Sequence, residues 1–226
     1  MSTLSELRTE TRKLLDDNQY GNSPYRWPDA DLNKYLNDAQ VEFSSSTRCF
    51  LRKITISLSA NVAEYPTKDA TIRGIVGMPD TVYYTYGSTI TRVLYPTTEK
   101  ILDSSVGPAW RTETFVPANN QTPIQFYLTP ALNDSVTPNV MNLGIYRKPS
   151  ASAGSIIISA PAIPVDVSVD ATEMSIPLQY HEALPYGAAY RALLRNQDTQ
   201  SLTLAAAYKT RYMEFVEIAQ KAIGRS

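Results

Sequence analysis

Cys49 and His181 are the only cysteine and the only histidine among 226 residues. A nucleophile needs a base within hydrogen-bond reach, so a catalytic pair built from a thiol and an imidazole would have to join these two. Cys49 lies at the end of one helical pattern and His181 at the start of another, and a bundle could bring them together. A lone cysteine at helical spacing from an apolar stripe is usually a small core residue, and the spacing favours that reading. One cysteine excludes an intramolecular disulfide and, with one histidine, most zinc sites.

Carboxylates offer a second chemistry. Asp29 with Asp31 and Asp16 with Asp17 are close pairs, and Asp166-x-x-x-Asp170-x-x-Glu173 places three acids on a short segment. Asp29 and Asp31 point to different sides of a helix, and a capping role at its start accounts for both. The Asp166 trio could hold a hard cation through oxygens, but it lacks the Asp-x-Asp-x-Asp-Gly spacing of an EF-hand loop and reads better as a solvated strand end. Tyr83-Tyr84-x-Tyr86 could stack bases, yet no basic residues interleave with it, so core or interface packing is expected. No Gly-x-Ser-x-Gly elbow, P-loop or Gly-x-Gly-x-x-Gly fingerprint occurs. The sequence points to no enzyme, no cofactor and no metal.

The elements that carry these residues divide the chain into three stretches. Residues 1–50 read as two helices. Thr3-x-x-Glu6 is a capping box ahead of Leu4, Leu7, Leu14 and Leu15. After a turn-rich loop from Asn18 to Pro24, Pro28 opens a second helix whose Leu32, Tyr35, Leu36, Ala39 and Phe43 keep an amphipathic rhythm. From Leu51 the period becomes two. Ile54, Ile56 and Leu58 alternate with polar residues, as do Ile124, Phe126 and Leu128, then Met141, Leu143 and Ile145, then Val165, Val167 and Val169. Val82–Tyr86 and Ile90–Leu94 predict a hairpin around Gly87-Ser88, and Thr97–Asp103 a short helix. After Pro177 helical rhythm returns in Tyr180, Leu184, Ala188, Ala189, Ala192 and Leu193, with Pro185 tolerable only in a first turn. Asn196-Gln197 make a turn, Asp198 is an N-cap, and a long last helix follows over 199–223.

Neither helical pair can bury its stripe alone, so the two are expected to pack on one another. The predicted fold is α+β: a helical bundle from residues 1–50 and 177–226, with a small β domain, residues 51–176, inserted between them.

Charge fits that pairing. Residues 1–50 hold six Lys/Arg and eight Asp/Glu, whereas residues 177–226 hold six and four. Opposite signs of this kind favour association of the two pairs, or of neighbouring copies; ordinary scatter of charge is the alternative reading. The whole chain, at a net charge of −1, has no basic field to grip nucleic acid by counterion release. The first residues, charged every few positions, do not resemble a signal peptide. The most apolar stretch, Ile156–Val165, is too short to cross a bilayer and contains Pro161 and Pro164. Proline (15) outnumbers glycine (9), and tyrosine (15) is three times phenylalanine (5). Stiff connections and aromatic surface suit contacts between chains, and the middle, Gly107–Pro130 in particular, is expected to supply arms for them.

One stretch is specific. Trp27-Pro-Asp29-Ala-Asp-Leu32-Asn-Lys-Tyr35-Leu36-Asn37-Asp-Ala39-Gln40-Val-Glu42 resembles the second helix of head-to-tail adaptor proteins (connector or head-completion proteins) of tailed bacteriophages, short-tailed type. Trp110, Pro123–Pro130 and Tyr146-Arg-Lys-Pro149 are similar to strands such proteins insert, and Ile176-Pro177-Leu-Gln-Tyr180-His181-Glu182-Ala183-Leu184 to the start of their third helix. The resemblance implies a homo-oligomeric ring, usually twelvefold, in the virion at the head–tail junction, assembled from protein made in the host cytoplasm. Its implied partners are the portal protein and a tail or nozzle protein, with tail fibres in reach. DNA would pass through the channel without sequence-specific binding, and no membrane is involved. His181 becomes an ordinary residue of the third-helix start, and Lys221 and Arg225, at the last helix's end, become candidate portal contacts. The alternative is a carbohydrate- or cell-surface-binding module, in which the Tyr- and Trp-rich β part touches sugars.

Overall fold

The computed structural model describes residues 2–17, 24–86, 89–116, 121–130, 141–152, 154–196 and 198–224. The chain forms two compact units, Met1–Phe50 with Pro164–Ser226, and Leu51–Ile163.

In the first unit α1 spans Leu4–Leu14 and α2 Asp29–Thr47. The capping box is present: Glu6 N–H donates to Thr3 Oγ1 (3.3 Å), and Thr3 N–H to Glu6 Oε2 (2.9 Å). Each bond satisfies a backbone donor that a helix start leaves open. Arg48, at φ 58°, ends α2 in the left-handed region. α4 spans Ala183–Leu194, with Pro185 in its first turn, and α5 spans Thr199–Ile223 behind an Asp198 cap that accepts from Ser201 N–H at 2.8 Å. Leu4, Leu7, Leu36, Phe43, Leu184 and Tyr212 share one core. Gly187 sits where helices converge: a Cβ there would lie 2.8 Å from both the Ala39 Cβ and the Tyr212 ring. α2, α4 and α5 meet at that point because the side chain is missing, and Tyr212 Oη donates to the Ala39 carbonyl (2.9 Å) across the gap.

The second unit holds α3 (Glu99–Ser105) and the strands β1 (Leu51–Ser57), β2 (Glu64–Pro66), β3 (Ile72–Ile75), β4 (Thr81–Tyr86), β5 (Thr89–Val93), β6 (Tyr95–Pro96), β7 (Thr114–Phe115), β8 (Gln125–Pro130), β9 (Met141–Tyr146), β10 (Lys148–Pro149) and β11 (Ser155–Pro164). Nine strands make one mixed sheet in the order β5-β4-β11-β3-β9-β8-β6, with β1 on β11 and β2 on β9. Only Leu94 separates β5 from β6, the two ends of that order. The sheet therefore nearly closes into a barrel. β7 and β10 form a separate parallel pair. In the β8–β9 hairpin Tyr127 faces Gly144, and its ring fills the place of a side chain: a Cβ at Gly144 would lie 2.2 Å from it.

These strands overturn the predicted fold class. The chain has five α-helices among the described residues and a nine-stranded sheet, so it is mainly β with helices rather than a helical bundle carrying a small β insertion. Period-two reading undercounts such a sheet for two reasons. β11 is covered on both faces along its second half and reads as an unbroken apolar run. β2, β6, β7 and β10 are two or three residues long, too short to show a period. Pro161 pairs with Leu51 within β11 rather than ending it. Val165, Val167 and Val169 are not a strand: after Pro164 the chain runs through the first unit as an irregular strap with a turn at 169–172. Nor is Gly107–Pro130 a free arm, because its last six residues are β8, paired along their length with β9. The Asn18–Ser23 part of the predicted loop, the Gly87-Ser88 turn and Gln197 lie outside the described residues.

Candidate functional site

The residues of the distinctive helix stretch build one polar and apolar joint in the first unit. Trp27 and Leu32 are buried with Ala192 of α4, and Tyr35 packs half-buried beside them. Leu36 and Ala39 lie in the main core. Between these, two amides of α2 hold the strap. Asn37 Oδ1 accepts from Val167 N–H (2.7 Å) while its Nδ2 donates to the Val167 carbonyl (2.9 Å). Gln40 Oε1 accepts from Ser175 N–H at 2.6 Å. The strap residues bonded here have no strand partner, and Asn37 supplies the donor and acceptor that a neighbouring strand would have offered.

Ion pairs reinforce the same joint. Arg8 grips Asp170 of the strap with both Nη atoms (2.8 and 2.9 Å). That fork holds the Asp170 carboxyl below the usual carboxylate range. The buried Arg12 donates to Asp17, to the Trp27 carbonyl (2.9 Å) and to Asp29. Asp31 pairs with Arg195 of α4 at 2.7 Å, and Glu42 accepts from Arg191 and, at 3.1 Å, from Tyr190. Asp29 and Asp31 stand in the first turn of α2, where the helix dipole favours anions, and are ion-pair partners as well; Pro28, the N-cap, makes no side-chain cap bond. Nothing in the type or spacing of Arg8, Arg12, Arg191 and Arg195 singles them out in the sequence. The opposite charge sums of the two chain ends are their one visible trace.

The remaining candidates are placed separately. His181 is buried, its Nε2–H donating to the Ile176 carbonyl (2.8 Å), and its Nδ1 is buried with no partner among the described residues. Pro177 precedes the 3₁₀ turn Leu178–Tyr180 that leads to it. Cys49 packs half-buried against the core, and burial pushes its thiol above its ordinary value, which disfavours the thiolate a nucleophile needs. Asp170 is turned to Arg8, and Glu173 makes a backbone bridge to Thr3. Among the described residues no group of three or more His, Cys, Asp or Glu side chains could hold a metal ion. Trp110 belongs to the second unit, buried with Leu102, Tyr127 and Tyr146 while its Nε1–H donates to Asp103 (2.8 Å). Tyr84 is fully buried and meets Phe115 edge-on at 5.6 Å, whereas Tyr86 is exposed. Lys221 is exposed and lies 3.8 Å from Glu217. Arg225 lies outside the described residues.

A family model described as SU10 adaptor protein matches residues 2–225, which takes in the α2 joint, the sheet and α5 alike. The chain belongs to the SU10 adaptor protein family. It is therefore a structural adaptor of bacteriophage, a virion component that binds other virion components. No curated protein matches the chain significantly. In this SU10-family adaptor Trp27, Leu32, Leu36, Asn37, Ala39 and Gln40 of that stretch are buried, whereas Asp29 is exposed. Among the described residues no helix is long and apolar enough to cross a membrane.

Proposed function

We propose that copies of this adaptor form a ring, twelvefold, that sits between portal and tail at the head–tail junction and continues the DNA channel. The match to the SU10 adaptor family over residues 2–225 carries this reading. It also supports an adaptor over a carbohydrate-binding module, because it spans the helical unit as well as the Tyr-rich sheet. The chain acts without catalysis or cofactor: a ring works by shape and by its contacts, and DNA passes along it without sequence-specific binding. Near-neutral charge suits a channel that must release DNA during ejection. Lys221 and Arg225 meet the portal at the end of α5. The test is native mass spectrometry with electron microscopy of the purified protein, alone and with its portal. Closed rings seated on the portal are the expected result; a chain that stays single in both samples overturns the reading.

A further inference from the structure

α5 is covered along one narrow stripe. Over its 25 residues, about 37 Å of helix, only Ala205, Tyr212, Val216 and Ala219 are buried. Around them the helix is only partly polar. Leu202 (43% exposed) and Met213 (40%) lie with Ala206 on one side of that stripe; Leu204 (39%) and Ile218 (58%) lie with Ala207 on the other. At 3.6 residues per turn the two apolar flanks are roughly 150° apart. Thr203, Thr210, Glu214, Glu217 and Lys221 fill the strip between them, while Lys209 and Gln220 stand on the first flank and Gln200 and Arg211 on the second. A helix with one covered face has polar flanks and a broad solvent face; α1 follows that rule, its exposed positions being Glu6, Thr9, Glu10 and Lys13. α5 instead exposes large apolar side chains on both flanks of its covered stripe.

The second flank runs beside an open pocket of about 550 Å³ in the same unit. Tyr186, one of its walls, stacks on Phe215 of α5 (centroids 6.1 Å, 30°). Leu7, Leu14 and Leu178 are apolar lining, and Glu10 and Glu182 add carboxylates. Glu10 is already paired with Lys13, but Glu182 has no ion-pair partner among the described residues, and neither has Lys209, which stands on the first flank between Ala206 and Met213.

Resting on the ring reading above, we propose that α5 is the main contact between neighbouring copies: the first flank of one copy, led by Met213 and Lys209, seats in the pocket and against the second flank of the next, where Lys209 meets Glu182. The two surfaces differ and lie on different sides of the helix. A head-to-tail contact that repeats around an axis uses both, whereas a two-fold pair would cover one flank twice and leave the other bare.

The experiment is native mass spectrometry and sedimentation of the full chain, alone and with portal, for the wild type, Met213→Glu, Ile218→Glu, Lys209→Glu, Glu182→Lys and the Lys209→Glu/Glu182→Lys pair, with Thr210→Ala on the polar strip as control. Met213→Glu and Ile218→Glu should each weaken self-association about tenfold or more with an unchanged melting profile, because both side chains are already exposed in the single chain. Lys209→Glu should weaken it too, and the double exchange should recover at least part of the loss. If the wild type forms rings and both flank variants do the same, the contact lies elsewhere and only this inference falls. Loss with one flank variant and not the other points to two-fold pairing and overturns it as well. If the double exchange is no better than the single ones, Lys209 and Glu182 do not meet. A wild type that never associates, even on portal, refutes the ring itself.

Discussion

Asn37→Ala tests whether the strap that follows Pro164 is held as described. The substitution leaves the backbone of α2 in place, since alanine favours helix more than asparagine by a few tenths of a kcal/mol. What it removes are the two bonds to Val167, whose N–H and C=O are engaged at 2.7 and 2.9 Å in a buried setting. The third bond, to the Asn33 carbonyl at 2.9 Å, is made within α2 and is the least costly to lose. Each buried backbone group left without a partner costs about 1–3 kcal/mol. Two of them, less the small helical gain, give an expected loss of about 2–5 kcal/mol. Urea unfolding followed by far-ultraviolet circular dichroism measures the total. Amide hydrogen exchange at Val167 measures the local event, and its protection should collapse at urea concentrations where α2 is still protected. Asn37→Asp is the informative companion: it keeps the acceptor for Val167 N–H but turns an anion toward the Val167 carbonyl, so it should be at least as damaging at neutral pH. A loss below about 0.5 kcal/mol for Asn37→Ala, the range of ordinary surface changes, with Val167 still protected, refutes the pinning of the strap.

Two further outcomes follow from packing and burial. Gly144→Ala should destabilise the sheet unit by about 1–3 kcal/mol or more, because the new Cβ falls 2.2 Å from the Tyr127 ring; thermal melting followed by Trp110 fluorescence checks it, and an unchanged midpoint would show that the ring moves aside freely. Alkaline pH should unfold the protein: burial raises the phenol of Tyr212 and pushes that of Tyr190 up to about 12. A raised folded-state value means the neutral phenols contribute in full below their ordinary value of 10.0 and that this contribution is lost as pH rises from there through the folded value. Melting temperature should fall steadily above pH 10, and Tyr212→Phe should flatten that fall.

Helices are legible because their signals are local. The Thr3–Glu6 capping box, Asp198 and the apolar rhythm of α2 each need only a few neighbouring residues, and the structure reproduces all three. Sheet pairing is not local. The closure of the barrel depends on β6 meeting β8, whose paired residues Tyr95 and Gln125 stand thirty positions apart in sequence, and no periodicity encodes which strand a two-residue segment will join. The inward polar residues are visible yet easily misread. Asn37 and Gln40 stand out by type, but their partners are backbone groups at Val167 and Ser175, on a strap whose Val165-x-Val167-x-Val169 alternation imitates a strand. The α5 flanks show the opposite limit: Leu202 is apolar at helical spacing and sorts by pattern with the core stripe, whereas in the single chain it is exposed.

The path of the chain through the sheet bears on how the helical unit assembles at all. Its two halves are separated in sequence by residues 51–163, a detour of over a hundred residues. β1 begins that detour and β11 ends it, and the two lie side by side, Leu51 opposite Pro161 and Ser57 opposite Ser155. Once the sheet has formed, the departing and returning ends are already neighbours, so the loop between α2 and α4 shrinks from about 135 residues to about two dozen, most of them the strap. On a logarithmic dependence of closure entropy on loop length, that is worth about 1.5 kcal/mol. Topology thereby favours an order in which the sheet forms before the helical halves meet, with the β1–β11 ladder acting as the clasp. Any change that frays this ladder lengthens the search that brings the two helical halves together.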